Sequence, residues 1–451
     1  MDDNTRKKLI DKGAGALADA LISLAGQNDL AADVVERLSS DQSELIKKVK
    51  RKISGLKRRK AFIHWRESGK FADHIEAILT DIKAAEPDPE TGLGLLAAFY
   101  ETDKAVFNNC DDSSGHISIH YKVIAPNMFA MYASDCADKK MVLDLLIKLY
   151  SDDDFSLREG LIEKTCEMIG LHETLNSIHL FEMLEEQEED EYQKYHYQRA
   201  ILSLARQTHD PQLFERTTLK YQPQPGAAAI LDIAEVYLAS GEPGIANEWV
   251  GKIPEGDIYM ADKRDNLLLL IYKALGNPEK LEKTAWKKFR ARRSLDSLNM
   301  LLEVIGEDKR EQIIEDEAYY IIDEEKEANY NDIQFLIDTK QFDEADICIL
   351  VKAGTGKLDG YLYPILLPIA KAMEKEERFL SAYVIYRELM LSILDRKFYK
   401  GYSHAAKYLR KLNALSEKIE DWQDLGNHQE FLNWLEVVHG KKSSFWRHYR
   451  G

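Results

Sequence analysis

His116 and His120 stand four residues apart and follow two aspartates, Asp111 and Asp112. On a helix that spacing puts both imidazoles on one face, where two nitrogen donors with carboxylates nearby would serve a divalent metal. No HExxH and no well-spaced third ligand accompanies them. The loop Asp111, Asp112, Ser113, Ser114 and Gly115 also has a plainer use. Asp112, Ser113 or Ser114 can accept hydrogen bonds from the free backbone N–H groups that open the next helix. Capping is therefore the expectation. The loop stays the first place to look for a ligand, with a metal-dependent enzyme built on Asp111 to His120 as a minor alternative.

Cations form the second pattern. Between residues 44 and 70 there are eleven Lys and Arg against Glu44 and Glu67, a local charge of +9 in a chain of formal net charge -17. Lys50, Arg51, Lys57, Arg58, Arg59, Lys60 and Arg66 make the candidate basic surface on what reads as one basic helix, 44–70. Such a helix can follow a phosphate backbone or an acidic partner, and the run from Glu182 to Glu191 offers acidic groups within the chain. The acidic balance of the whole molecule makes nucleic acid the alternative partner and not the favoured one. A smaller basic stretch, Lys283 to Arg293 with Trp286 and Phe289, reads as the surface of a helix.

Other chemistry thins on inspection. Lys352 to Leu358 resembles a phosphate-binding loop, but Val351 stands where the first glycine is needed and Leu358 where a magnesium-holding hydroxyl is needed, which leaves a turn between helices. Cys110, Cys136, Cys166 and Cys348 show no CxxC or CxH spacing, so neither a disulfide framework nor a zinc site is expected, and the thiols read as reduced and buried. No cofactor is expected. The N-terminus has no apolar signal-like run, and the longest aliphatic run, Leu267 to Ile271, is too short to span a bilayer, so the expected location is the cytoplasm.

The elements that must position these residues are helices. Gly and Pro total only 35, 24 and 11, in 451 residues, and apolar positions recur at three- and four-residue intervals. One helix is expected over 5–26, another through the basic segment with Ile46, Val49, Ile53, Leu56 and Ile63 on one side, and a third with Phe71, Ile75, Ile78, Leu79 and Ile82, ended by Pro87 and Pro89. Ile117 to Ile124 fits strand or helix, and its helical neighbours decide for helix. Pro223-Gln224-Pro225-Gly226 is the best boundary, dividing an irregular helical array, 1–222, from a repeat domain, 227–451. Beyond it, Tyr237 to Gly241 with Ala246 is echoed at Tyr272 to Gly276 with Leu281, Leu302 to Gly306, Leu336 to Gln341 with Ala345, and Met373 to Arg378 with Ala382. A recurrence of about 34 residues is that of a tetratricopeptide-type helical hairpin, so the expected class is all-α with an α-solenoid in the C-terminal half. The full consensus of that repeat appears nowhere.

Leu17-Ala18-Asp19-Ala20-Leu21, Phe62-Ile63-His64-Trp65-Arg66, Val106-Phe107 leading into Asp111 to Gly115, and Ala405-Ala406-Lys407-Tyr408-Leu409 resemble an uncharacterised bacterial domain-of-unknown-function family, which occurs alone and as the C-terminal part of SWIM zinc-finger proteins. The resemblance runs over most of the chain and implies helical repeats without an established activity. The zinc finger's CxC and CxH pairs are absent. The expected function is a non-enzymatic scaffold binding a protein or peptide on the concave face of 227–450. Nucleic-acid binding through 44–70, in a bacterial defence or stress setting suggested by the family alone, is the alternative.

Overall fold

A computed structural model describes residues 3–254, 256–323 and 328–451 and divides the chain into two compact units, Met1–Pro254 and Glu255–Gly451. Among the described residues the regular structure is helical, no strand forms, and none of the helices is long and apolar enough to cross a membrane.

In the N-terminal unit the stretch expected as one helix over 5–26 is two, Asp3–Ile10 and Ala14–Ala25, because Gly13 takes a φ of 82° at the join. The basic segment also differs from the single helix its periodicity predicts. Asp41 and Glu44 form a capping box that starts the helix Gln42–Lys57, and Leu45, Val49, Ile53 and Leu56 face inward on it. That helix stops at Lys57. Residues 58–67 form an irregular connection, and the chain resumes as Ser68–Ala84, burying Phe71, Ile75, Ile78, Leu79 and Ile82. Ile63 is buried where the helical register would put it, yet it is held by a parallel bridge to Cys110. After the prolines, Asp88 accepts from the Thr91 N–H and Pro89 opens the helix Pro89–Tyr100 at a position that needs no N–H. Of the stretch Ile117 to Ile124, Ile117 ends a turn and Ser118 onward is helical, widening into a π turn over His120–Ile124.

The periodic signal has a concrete origin in how helices end. After Ala227–Ala239, the Gly241 N–H donates to the Leu238 carbonyl and the Glu242 N–H to the Tyr237 carbonyl, the paired bonds of a Schellman turn. The same pair recurs at Gly276 and Asn277, at Lys340 and Gln341, and at Glu377 and Arg378. In each the first residue is left-handed, with φ of 81°, 62°, 64° and 60°. Each turn leads into a second helix, Pro243–Val250, Pro278–Ala291, Phe342–Gly354 and Phe379–Asp395, that packs on the one before it. Ala246, Ala345 and Ala382 are fully buried in those helices, where a larger side chain would push the pair apart. The expected copy at Leu302 to Gly306 departs from the others. Gly306 has φ 107° and ψ 136°, and the chain continues into a 3-10 turn at Glu307–Lys309.

Two sets of ion pairs built on buried carboxylates, one in each unit, tie helices together. Around Asp81, which is fully buried, lie Arg37 at 2.7 Å, Lys52 at 2.9 Å and Lys48 at 3.8 Å. In the C-terminal unit Arg293 reaches Glu317 and Asp332, both at 2.9 Å, and Arg290 reaches the other oxygen of Glu317 at 2.6 Å.

Candidate functional site

The loop after Phe107 is pinned at its start. The Ile63 N–H donates to the Asn109 carbonyl at 2.9 Å, and the Asp111 N–H donates back to the Ile63 carbonyl at 2.8 Å. Asp112 then caps the following helix with both oxygens, accepting from the Ile117 N–H at 2.9 Å and the Ser118 N–H at 2.8 Å. Asp111 closes a local turn by accepting from the Ser113 N–H at 3.1 Å, and Gly115 supplies the left-handed residue at φ 71°. Burial and the charges of Asp112 and Asp111 push the Cys110 thiol up to about 11. Cys110 and Cys166 are only half-buried, whereas Cys136 and Cys348 are buried as expected.

His116 and His120 do not converge. His120 is buried, and its Nδ1 donates to the His116 backbone carbonyl at 3.1 Å. The exposed His116 turns its Nδ1 toward the Ser114 hydroxyl at 3.1 Å and the Ser68 hydroxyl at 3.4 Å. Among the described residues no group of three His, Cys, Asp or Glu side chains could hold a metal ion. What the fold assembles is a small cluster of two hydroxyls and an imidazole. Ser68, the first residue of Ser68–Ala84, is far from the loop in sequence, and no local spacing signals it.

The cations separate into two groups. Lys48 and Lys52 point inward to Asp33, Glu36 and Asp81, and Lys57 pairs with Glu101 at 2.6 Å. Arg59 is half-buried, its guanidinium 4.7 Å from the Phe71 ring centre. The acidic run at 182–191 is not their partner: Glu182 pairs with Lys220 and Glu191 with Lys194. Lys50, Arg51, Arg58, Lys60 and Arg66 are exposed and make no ion pair among the described residues. On the connection itself Phe62 is 53% and Trp65 56% exposed, with Arg66 5.2 Å from the Trp65 ring. The Ile63 bridge therefore joins two features that are separate in sequence, the basic aromatic connection and the Asp111 to Gly115 loop.

In the C-terminal unit Lys352 to Leu358 is the turn that ends Phe342–Gly354, with Gly356 left-handed and the Lys357 N–H donating to the Lys352 carbonyl. Nearby in sequence, Tyr361 and Tyr363 are 62% and 61% exposed, and Phe398 and Tyr399 are exposed beyond Phe379–Asp395.

A family model described as a family of unknown function (DUF6880) matches residues 4–220 and again 172–448, which together take in nearly the whole sequence. The chain belongs to that family. No curated protein and no solved structure matches it.

Proposed function

We propose, from the premise of that membership, that this chain is a helical-repeat binding protein, and that its C-terminal unit holds a protein or peptide partner through exposed aromatic side chains on stacked, tetratricopeptide-like hairpins in the cytoplasm. The observation that carries the reading is the exposure of Tyr361 and Tyr363 at the start of the helix Tyr363–Lys375 and of Phe398 and Tyr399 just after the helix Phe379–Asp395. Large rings that are rigid and half-polar dominate protein recognition surfaces, and stacked hairpins offer a long surface for an extended segment. The test is affinity capture with the full chain against a Tyr361→Ser, Tyr363→Ser, Tyr399→Ser variant that keeps its melting temperature. A specific protein retained by the first and lost by the second is expected. Identical capture by both refutes the reading.

A second reading is favoured by the Ile63 bridge, which joins the connection that carries unpaired cations, Phe62 and Trp65 to the loop that carries the Ser114 hydroxyl and the His116 imidazole. Cations that neutralise phosphates and rings that stack on bases are the two parts of single-strand binding. The resemblance to a bacterial family that also occurs behind SWIM zinc fingers is the ground for setting this reading in bacterial defence or stress response. Charge reversal belongs at Arg58, Lys60 and Arg66, because Lys57 and Arg59 have structural contacts. Fluorescence anisotropy with a labelled single strand should show affinity that falls steeply with salt and is abolished in R58E/K60E/R66E. No binding at low salt removes the reading.

A further inference from the structure

Between the helices Tyr363–Lys375, Phe379–Asp395 and Tyr402–Ser416 lies a cavity of about 510 Å³, within the range that holds small ligands. Its walls combine four rings, Tyr361, Tyr363, Phe398 and Tyr408, with the aliphatic Leu367, Leu389 and Ile393, and Arg396 and His404 are its basic groups. No carboxylate side chain lines it. We infer that this cavity binds an aromatic anion, a planar ring joined to a carboxylate or a phosphate.

Arg396 is arranged for the anion. Its guanidinium lies 4.7 Å from the Tyr361 ring centre, and its Nε donates to the Ser392 carbonyl at 2.8 Å, which holds the group in place and leaves the paired terminal nitrogens for a bidentate acceptor. The pose depends on Gly360, where any Cβ would run into the Glu388 carbonyl oxygen; its absence lets the segment carrying Tyr361 lie directly on Phe379–Asp395. A second positive feature faces the same space. Gly401 and His404, which both line the cavity, open the fifteen-residue helix Tyr402–Ser416, and no side chain caps that N-terminus. A 3-10 turn, Tyr399–Gly401, leads into this helix and takes the Tyr402 N–H, and the helix end adds a partial positive charge to the cavity wall. With the anion on Arg396, the attached ring meets Tyr363, Phe398 and Tyr408, whose faces and edges favour stacked or T-shaped aromatic contact. A neutral ring forfeits the guanidinium, and inorganic phosphate forfeits the rings.

Two sources supply this chemistry, a mononucleotide and a peptide ending in an aromatic residue with a free carboxylate. The inference rests on the same surface as the peptide-binding reading and names what that surface recognises. Titration calorimetry with the full chain distinguishes them, using AMP and UMP against adenosine and inorganic phosphate, and a tetrapeptide ending in tryptophan as the free acid against its amide. At least one ring-plus-anion probe is expected to bind ten-fold or more tightly than its neutral counterpart. Arg396→Met should reduce that probe to the level of the neutral one, and Tyr363→Ala should weaken both; each residue is exposed, and an unchanged thermal melt checks that the fold is kept. Preference for the nucleotide upholds the inference and counts against the peptide reading, whereas preference for the free-acid peptide upholds both. An anionic probe with no advantage, or one indifferent to Arg396→Met, overturns the inference. If the aromatic capture variant still loses its protein partner in that case, the peptide reading survives without it.

Discussion

Substituting methionine for Arg293 removes a guanidinium with 5% exposure that holds Glu317 and Asp332, side chains with 2% and 7%, at 2.9 Å each. Methionine preserves most of the stem's packing, so the lost interaction is mainly ionic. Breaking a buried pair by deleting one partner costs about 3–5 kcal/mol, because the remaining charge is stranded without solvent. Glu317 keeps Arg290 and Asp332 keeps the Asn329 N–H at 2.9 Å, so the lower end, about 3 kcal/mol, is the expected value. Arg290 is 48% exposed, and Arg290→Met should cost about 1 kcal/mol or less. Adding Asp332→Asn to Arg293→Met should recover part of the loss, because an amide oxygen can still accept from Asn329 while the unpaired charge is gone. Urea titration of the full chain, followed by tryptophan fluorescence, measures all three; Trp286, 4.9 Å from the Arg290 guanidinium, reports locally. Equal losses for Arg293→Met and Arg290→Met, or no recovery in the double variant, would refute the argument from burial.

Burial holds the His428 and His439 imidazoles below their ordinary range, the latter despite Asp395 at 3.3 Å. A depressed base binds fewer protons folded than unfolded, so stability of the C-terminal unit is full above a pH of about 6.5 and falls as pH drops below it. Thermal melts from pH 8 to pH 5 should show this decline, and a His428→Gln, His439→Gln variant should flatten it; an equally steep decline in the variant contradicts the assignment. At the Schellman turns, Lys340→Gly relieves a left-handed backbone that costs a side-chain-bearing residue about 1 kcal/mol, partly offset by glycine's unfolded-state entropy. A gain of about 0.5 kcal/mol in urea unfolding is expected, and Gly276→Ala, in open space at φ 62°, should lose about 1 kcal/mol. The same sign for both substitutions would count against strain at these turns.

The helices were legible because their buried faces follow the three- and four-residue rhythm, as Leu45, Val49, Ile53 and Leu56 do. That rhythm also misled. Ile63 lies two turns beyond Leu56 and is buried as a helix would require, but a partner far along the chain buries it, and periodicity alone does not separate the two causes. The recurring helix ends were visible through the apolar residue that gives its carbonyl to each Schellman turn, Tyr237, Tyr272, Leu336 and Met373. Two of those turns use Lys340 and Glu377 at the left-handed position, where glycine is the usual signal, and the glycine at Gly306 does something else. Of the candidate loop, the cap at Asp112 was readable from residue type. Ser68 beside Ser114 and His116 was not, since tertiary contact alone brings them together.

The Ile63 bridge has a consequence for any molecule that docks on the connection at 58–67. Irregular segments that order on binding lose about 1–2 kcal/mol of backbone entropy per residue, which comes out of their affinity. Here two hydrogen bonds and one buried isoleucine fix the backbone at Ile63, between the exposed Phe62 and Trp65. The surface is pre-organised, and the folding of the N-terminal unit has already met the cost of ordering it.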